Sequence, residues 1–570
     1  MIKNIIKQAK QKIQKLDIEY YYIIFIAMFI LMPLISKNTV IGHDSLYHIT
    51  NIDALTKELE NFQISKISSI IANGLGYGGA IFYPKLPHYI AALINLVVSN
   101  LGYNSFYSLN ISYCIIVILS GIFMYWLLKL IFENKKVAFL GSGIYMSMPY
   151  FTNEIYVRGA FNESFLYIFM PLVFIGLIYL LKGNIKKFYI YFIIGYLGMV
   201  NSHLVLSVYF TMFVLIYIVF NIKRYFTRKN IKHLILAAIV LLILMSPNIA
   251  LLIEHKISEK YVVFDPIIMR SNVENIQLYA LSIKDFFIPK ISEMDNTYVF
   301  INFIVWILAV LGIYNIIKEK NRDRKNILLG ILGFLVMSAL FSLNTFPYQY
   351  IPQLLLSIQF AFRNVTFVCF SLSIIAASGI LLFKDSLRKN LIYIIIVISC
   401  CIVAVYINET KLVKINEIGN LESFNGMGAQ KEYLTMKAYK NSNYLKTRDK
   451  NIKVLSKNKL VRVKIIEDSA PKLVFNISKI KEKDKVSLEL PRLYYLGYKI
   501  TLTTKDGREI NLKYVNDKYG FIKITVPENG CIKVKYVGTV LYQFFIWTRA
   551  IVVIIIITIF IIKKKNQKIY

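Results

Sequence analysis

The chain has 570 residues, 56% of them hydrophobic, and 67 basic against 33 acidic side chains give it a net charge of +34. Soluble domains run nearer about 45–50% apolar, and many runs here approach the roughly 20 residues that cross a bilayer as a helix, so an ordinary soluble chain is excluded. Much of the positive charge lies in short loops between apolar runs, which points to a membrane orientation signal and not to nucleic acid.

From the N-terminus, "KNIIKQAKQKIQK" precedes the first apolar run, "YYIIFIAMFILMPLIS", which reads as a span and not as a cleaved signal peptide. Basic loops recur at 133–136, 182–187, 223–232, 318–325, 384–389 and 563–568. Placing all of them in the cytoplasm predicts about twelve helices, with both termini cytoplasmic. The spans fall near 20–36, 106–131, 137–152, 164–182, 188–202, 204–221, 233–252, 297–317, 327–343, 364–383, 391–407 and 541–562. On this reading 1–19 is a basic cytoplasmic N-terminus and 20–407 a transmembrane domain with a large outer loop at 37–105. A polar extracytoplasmic domain follows at 408–540, then 541–570 as a last span with a basic tail.

The polar side chains gather in the outer segments. "GHDSLYH" (42–48) opens a run with apolar residues at Leu46, Ile49, Ile52, Leu55 and Leu59, the spacing of an amphipathic helix expected along the outer membrane surface. Asp44 or Ser45 then stands at its N-cap, and Asp44 reads either as a cap or as a general base facing an outer cavity. His48 follows one turn later on the same face, able to orient that carboxylate, bind phosphate or face solvent. "GGAIFYPKLPHY" (78–89) supplies Tyr83, Lys85 and His88 around two prolines, and 86–102 is expected to lie on or dip into the outer face. "NEIYVRGAFNES" (153–164) brings Glu154, Arg158 and Glu163 to the membrane edge, as a site or as a structural ion pair. His203 marks an outer turn, and Arg363 in "IQFAFRN" starts a helix after a short surface helix expected in "YIPQLLLSIQFAF".

Cys114, Cys369, Cys400 and Cys401 lie in apolar runs and Cys531 stands alone, without CxxC or Cys/His spacing, so neither a structural disulfide nor a zinc site of that kind is expected. Residues 408–540 hold short alternating runs, "VRVKII", "KLVFNI", "KVSLEL", "YKITLTT", "REINLKYV", "FIKITV" and "CIKVKYV". The hairpin turns "KDGR" and "ENG" complete the pattern of a small β-sandwich in the second half of the segment. The fold class is therefore an α-helical polytopic membrane protein with a C-terminal extracytoplasmic β-rich domain.

"GHDSLYHI", "GYGGAIFYPKLPHYIAAL", "YVRGAFNESFLYIFMPLVF", "SHL", "IQFAFRNVTF", "LPRLYYLGYKI" and "IKVKYVGT", in that order, resemble the YfhO-like bacterial membrane proteins and their 6-pyruvoyl-tetrahydropterin synthase-related kin. That group is similar to the GT-C glycosyltransferases, which include oligosaccharyltransferases and protein mannosyltransferases. The resemblance implies a bacterial plasma-membrane hexosyl- or pentosyltransferase whose active face is extracytoplasmic. It carries Asp44 into the role of first-loop acidic residue and likens "RGAFNE" to the second-loop motif. There the acidic pair is reduced to Asn162 and Glu163, and Phe362 replaces an expected Trp before Arg363.

The implied reaction moves a sugar from a polyprenyl-phosphate lipid to a cell-wall polymer, glycolipid or protein outside the membrane. Asp44, with Glu163 as partner or alternate, takes the acceptor proton. Arg158, Lys85, His203 and Arg363 face the leaving phosphate; His48, Tyr83 and His88 complete the pocket. No cofactor is assigned, and a divalent cation (Mg or Mn) stays open, the case for it weakened by the reduced acidic motif. The expected partners are the lipid-linked donor, the acceptor and membrane lipids, not nucleic acid. A lipid-linked sugar transporter or flippase and a non-catalytic membrane scaffold are the alternatives.

Overall fold

A computed structural model describes residues 17–35, 38–288, 299–383, 412–414, 426–428, 431–456, 461–469, 471–478 and 485–566. The span expected at 391–407 lies outside them. The chain falls into two compact units, residues 1–46, 98–235 and 273–419 in one and 47–97, 236–272 and 420–570 in the other.

The first unit is helical. Four helices among the described residues are long and apolar enough to cross a membrane: Ser105–Phe132, Phe161–Leu181, Arg228–Ser258 (shared with the second unit) and Ala361–Ile380. Shorter apolar helices include Ile18–Ile30, Leu204–Phe220 and Phe303–Lys318. Asparagines punctuate the sequence where helices start. Asn104, Asn134, Asn184, Asn302 and Asn321 each accept a backbone N–H from the first turn of the helix that follows. The span expected at 137–152 is two pieces, Lys135–Met146 and Pro149–Tyr156, because Pro149 ends one hydrogen-bond ladder and opens the next. The Val365–Ile380 helix is buried on every side and so apolar all round. It meets Phe303–Lys318 through glycines: a Cβ on Gly312 would lie 2.0 Å from the Ile375 carbonyl, and one on Gly379 would lie 2.1 Å from that of Leu308. In place of one surface helix, 348–364 forms three single turns, Tyr348–Tyr350, Gln353–Leu356 and Ala361–Asn364.

The first unit also holds a short antiparallel pair, β1 (Asn38–Val40) with β2 (Leu412–Lys414). The second unit contains two antiparallel sheets. β4 (Arg462–Ser469), β5 (Lys472–Ser478), β11 (Gly530–Tyr536), β7 (Tyr498–Thr504) and β8 (Glu509–Asn511) lie side by side in one. β3 (Lys453–Val454), β6 (Val486–Leu493), β10 (Phe521–Val526) and β9 (Tyr514–Asn516) form the other. The run "REINLKYV" is therefore not one strand. It breaks after Asn511 so that β8 pairs with β7 and β9 with β10 in the opposite sheet.

The sequence division assigned 37–105 to the membrane body and made 408–540 a separate domain. The structure draws a different boundary. Ile67, Leu75, Tyr77, Phe82, Leu251 and Tyr261 lie in the same apolar core as Phe475, Leu488 and Ile524 of the two sheets. The Tyr77 hydroxyl donates to the Met427 carbonyl at 2.9 Å, and the Leu496 N–H donates to His255 Nε2 at 3.2 Å. The Ser45–Glu60 helix does not lie along a surface. Its polar His48, Asn51, Thr56 and Glu58 are as buried as its apolar Ile49, Ile52 and Ala54. Asn95 donates to Thr56 at 3.0 Å, tying it to the Leu86–Asn100 helix, and Glu58 accepts from Ser68 Oγ and Ser69 N at 2.8 Å each.

Candidate functional site

Two constellations hold the residues singled out from sequence, one in each unit. In the first unit, the Gly42–Ser45 turn packs backbone to backbone against Val157–Gly159. The Asp44 N–H donates to the Arg158 carbonyl at 2.9 Å. A Cβ on Gly42 would lie 2.5 Å from Gly159 N, and one on Gly159, at φ +62°, would lie 2.3 Å from Ser45 Oγ. Both glycines are thus required by close approach, the second also by its left-handed backbone. Ser45 Oγ turns back to accept from Gly42 N at 3.0 Å. Among the described residues the Asp44 carboxylate accepts no hydrogen bond, so its oxygens are not spent on a helix cap. It is half-buried, and desolvation pushes its carboxyl above the usual range, opposed by the nearby Arg158 charge.

Arg158 follows Glu154 by four residues, one helical turn, and its Nη1 donates to Glu154 Oε1 and to Glu163 Oε2, each at 2.8 Å. Nη2 donates to Glu163 Oε1 at 3.1 Å, making the Glu163 contact bidentate. Arg363 Nε stands 3.1 Å from Glu163 Oε1, and His203 Nε2 3.9 Å from the same oxygen. Arg363 Nη1 also donates to the Ile358 carbonyl and to Gln359 Oε1. Each of these five residues is at most 8% exposed, so the charges must satisfy one another. Glu163 is the hub, engaged by two guanidiniums and an imidazole. Burial pushes the His203 imidazole down to about 4, which leaves it a neutral hydrogen-bonding group and not a cation at neutral pH. Burial, with the Glu163 charge beside it, pushes the Glu154 carboxyl up. Phe362, the residue at the expected Trp position, lies under the Arg158 guanidinium at 5.4 Å.

Asp44, Arg158, Glu163, His203 and Arg363 thus share one unit. Sequence reasoning noticed Glu154 without giving it a place; its i,i+4 spacing to Arg158 was the available signal. Tyr113 gave none, being one aromatic in an apolar helix, yet its buried hydroxyl has no hydrogen-bond partner among the described residues and lies within electrostatic reach of Asp44 and Glu154.

The second constellation is built by the Ser45–Glu60 and Leu86–Asn100 helices. Lys85 Nζ donates to Asn51 Oδ1 at 2.7 Å and to the Tyr47 hydroxyl at 3.1 Å, and sits 5.1 Å and 5.6 Å from the ring centres of Tyr47 and Tyr83. Burial pushes the Lys85 ammonium down to about 7, against the pull of Glu58 and Glu432. His48 Nδ1 and His88 Nε2 share a hydrogen bond at 2.9 Å. Lys85, Tyr83, His48 and His88 therefore belong together, joined by Tyr47 and Asn51, which periodicity alone did not mark.

Among the described residues no three His, Cys, Asp or Glu side chains converge as a metal donor set. The Glu154–Glu163 pair already has Arg158 as its counter-charge.

Residues 84–250, under a third of the chain, match a family model described as dolichyl-phosphate-mannose-protein mannosyltransferase. The match takes in Lys85, His88, Glu154, Arg158, Glu163 and His203, and leaves Asp44 and Arg363 outside it. A Lactococcus lactis subsp. cremoris (strain MG1363) protein named "Uncharacterized protein" is 25% identical over 234 residues, 40% of this chain and 37% of that relative's length.

Proposed function

We propose that this chain is a membrane glycosyltransferase of the GT-C type. It transfers a hexose or pentose from a polyprenyl-phosphate lipid to an extracytoplasmic acceptor, a cell-wall polymer, glycolipid or protein. The twelve-span arrangement with both termini in the cytoplasm, the extracytoplasmic active face and the YfhO-like kinship belong to the same proposal. The observation that carries it is the Asp44 carboxylate: its backbone is fixed on Arg158, yet its oxygens accept nothing within the described residues. The match over 84–250 to a family named for lipid-phosphate mannose transfer supports it.

In this reading an acceptor hydroxyl gives its proton to Asp44 as its oxygen attacks the anomeric carbon. The bond from that carbon to the phosphate oxygen breaks, and its electron pair leaves with the lipid phosphate. A base in this position contributes about 10²–10⁴-fold. Glu163 serves as Asp44's partner and not as its alternate, because its oxygens are held by Arg158 and Arg363. It anchors the two guanidiniums, and the charge developing on the leaving phosphate is met by Arg158 and Arg363. His203 contributes a neutral N–H, and Tyr83, His48 and His88 shape the Lys85 pocket. No step runs through a metal ion.

The test is a transfer assay on reconstituted full-length protein with a panel of radiolabelled polyprenyl-phosphate sugars and an envelope extract as acceptor. Wild type is expected to move label into product, and a normally folded Asp44→Asn variant to lose at least about 100-fold. Full activity in that variant would remove Asp44 from the mechanism.

A further inference from the structure

An apolar groove of about 630 Å³ runs between the Leu204–Phe220 and Arg322–Leu340 helices, lined by Leu215, Val219, Phe220, Leu329, Gly333 and Val336 among others. Its floor is formed where a side chain is missing: a Cβ on Gly333 would lie 2.4 Å from the Phe220 ring. Leu215, Val219 and Val336 are half or more exposed, so the groove lacks a protein cover among the described residues.

One end of this groove is charged. Arg224 Nη2 pairs with Asp323 Oδ1 at 3.0 Å and its Nη1 donates to the Asp323 carbonyl at 3.2 Å, which brings together the C-terminal end of one helix and the N-terminal end of the other. The residues adjoining that contact, Lys223 and Arg322, are both exposed, and neither has an ion pair or hydrogen bond among the described residues. An apolar channel with two unpaired cations at its mouth is the shape and charge of an amphiphile with an anionic head.

The donor lipid does not match this arrangement. His203, which faces Glu163, caps the opposite end of the 17-residue Leu204–Phe220 helix, roughly 25 Å away at about 1.5 Å per residue. A lipid whose phosphate lies at Lys223 and Arg322 has its head in the other leaflet from the candidate catalytic carboxylates.

We propose that the Leu204–Phe220/Arg322–Leu340 groove is a binding site for an anionic glycerophospholipid, its acyl chain along Leu215–Phe220 and Leu329–Val336 and its phosphate between Lys223 and Arg322. This site is independent of the transfer reaction assigned above. Each basic residue near a bilayer surface attracts anionic lipid by about fivefold, so the pair supplies about 25-fold.

The test is native mass spectrometry of the full chain released from detergent, titrated with phosphatidylglycerol or with phosphatidylcholine of the same acyl chains. Wild type is expected to retain phosphatidylglycerol at least about 10-fold better. A Lys223→Glu/Arg322→Glu variant is expected to lose that preference while still taking up either lipid weakly. A Leu215→Trp/Val336→Trp variant, which fills the groove from exposed positions, is expected to lose both, with an unchanged melting temperature in detergent showing that it folds. Equal retention of the two lipids by wild type, or an undiminished preference in the charge variant, overturns the proposal. Displacement of the bound phosphatidylglycerol by polyprenyl phosphate at equal concentration overturns it in favour of the donor's tail. Displacement by inorganic phosphate overturns it in favour of a simple anion site.

Discussion

Asp44 and Glu163 are both acidic side chains near Arg158, and what their oxygens touch separates them. Among the described residues Asp44 keeps its oxygens open, whereas Glu163 spends its own on Arg158 and Arg363. Arg158→Leu therefore strands Glu154 and strips Glu163 of its bidentate partner, and breaking a buried pair in this way costs about 3–5 kcal/mol. A fall in melting temperature of several degrees in detergent is expected for Arg158→Leu, larger than for Arg363→Leu, because Arg158 pairs with Glu154 as well as with Glu163. Lys85 gives a prediction in pH. Its folded pKa is lowered to about 7, so between there and the ordinary lysine value, about 10.4, the folded chain binds fewer protons than the unfolded one. Stability is then gained as pH rises through that window. Melting curves of wild type and Lys85→Met between about pH 6.5 and 10 should show the wild type improving relative to the variant as pH rises. A constant difference would mean that Lys85 keeps its ordinary pKa.

At the scale of elements, Asp44 owes its position to the two glycines at the contact between its turn and the Val157–Gly159 turn. Gly42→Ala drives a methyl into backbone atoms that cannot rotate away, an overpacking that costs about 1–3 kcal/mol. The expected result is a lower melting temperature and a transfer rate reduced by at least about 10-fold, measured in the reconstituted transfer assay. How much of this was legible in the sequence follows from the kind of signal each residue leaves. Asp44, Arg158 and Lys85 stood out because charge is conspicuous beside apolar runs. Tyr113 did not, because in an apolar helix a tyrosine beside buried carboxylates looks like any core aromatic. Periodicity read the Ser45–Glu60 helix as amphipathic, but its polar face is buried on Ser68, Ser69, Lys85 and Asn95, partners that appear only once the chain has folded back. The β8/β9 break was hidden for a similar reason. Alternation persists through "REINLKYV", and only pairing shows that its two halves serve different sheets.

For the whole molecule, the chain leaves and re-enters each unit repeatedly, so the order of segments in sequence is not the order of cores in space. Composition changes sharply near residue 408, from apolar to polar, and that change suggested a domain boundary. The core says otherwise. Tyr77, Phe82, Leu251 and Tyr261 are buried in the apolar core of the sheets, and His255 and Glu259 accept hydrogen bonds from Leu496 N and Asn516 Nδ2. A fragment of 408–540 alone would expose the apolar surface those segments cover and leave the bonded groups unpaired. Burial of each large apolar side chain is worth about 1.5–3 kcal/mol, so losing four of them removes about 6–12 kcal/mol, comparable with the whole stability of a typical domain. The isolated 408–540 fragment is therefore expected to give a collapsed amide proton spectrum and no cooperative melting transition. A fragment that melts cooperatively on its own would mean that the sheets form their core first and that residues 47–97 and 236–272 add to it afterwards.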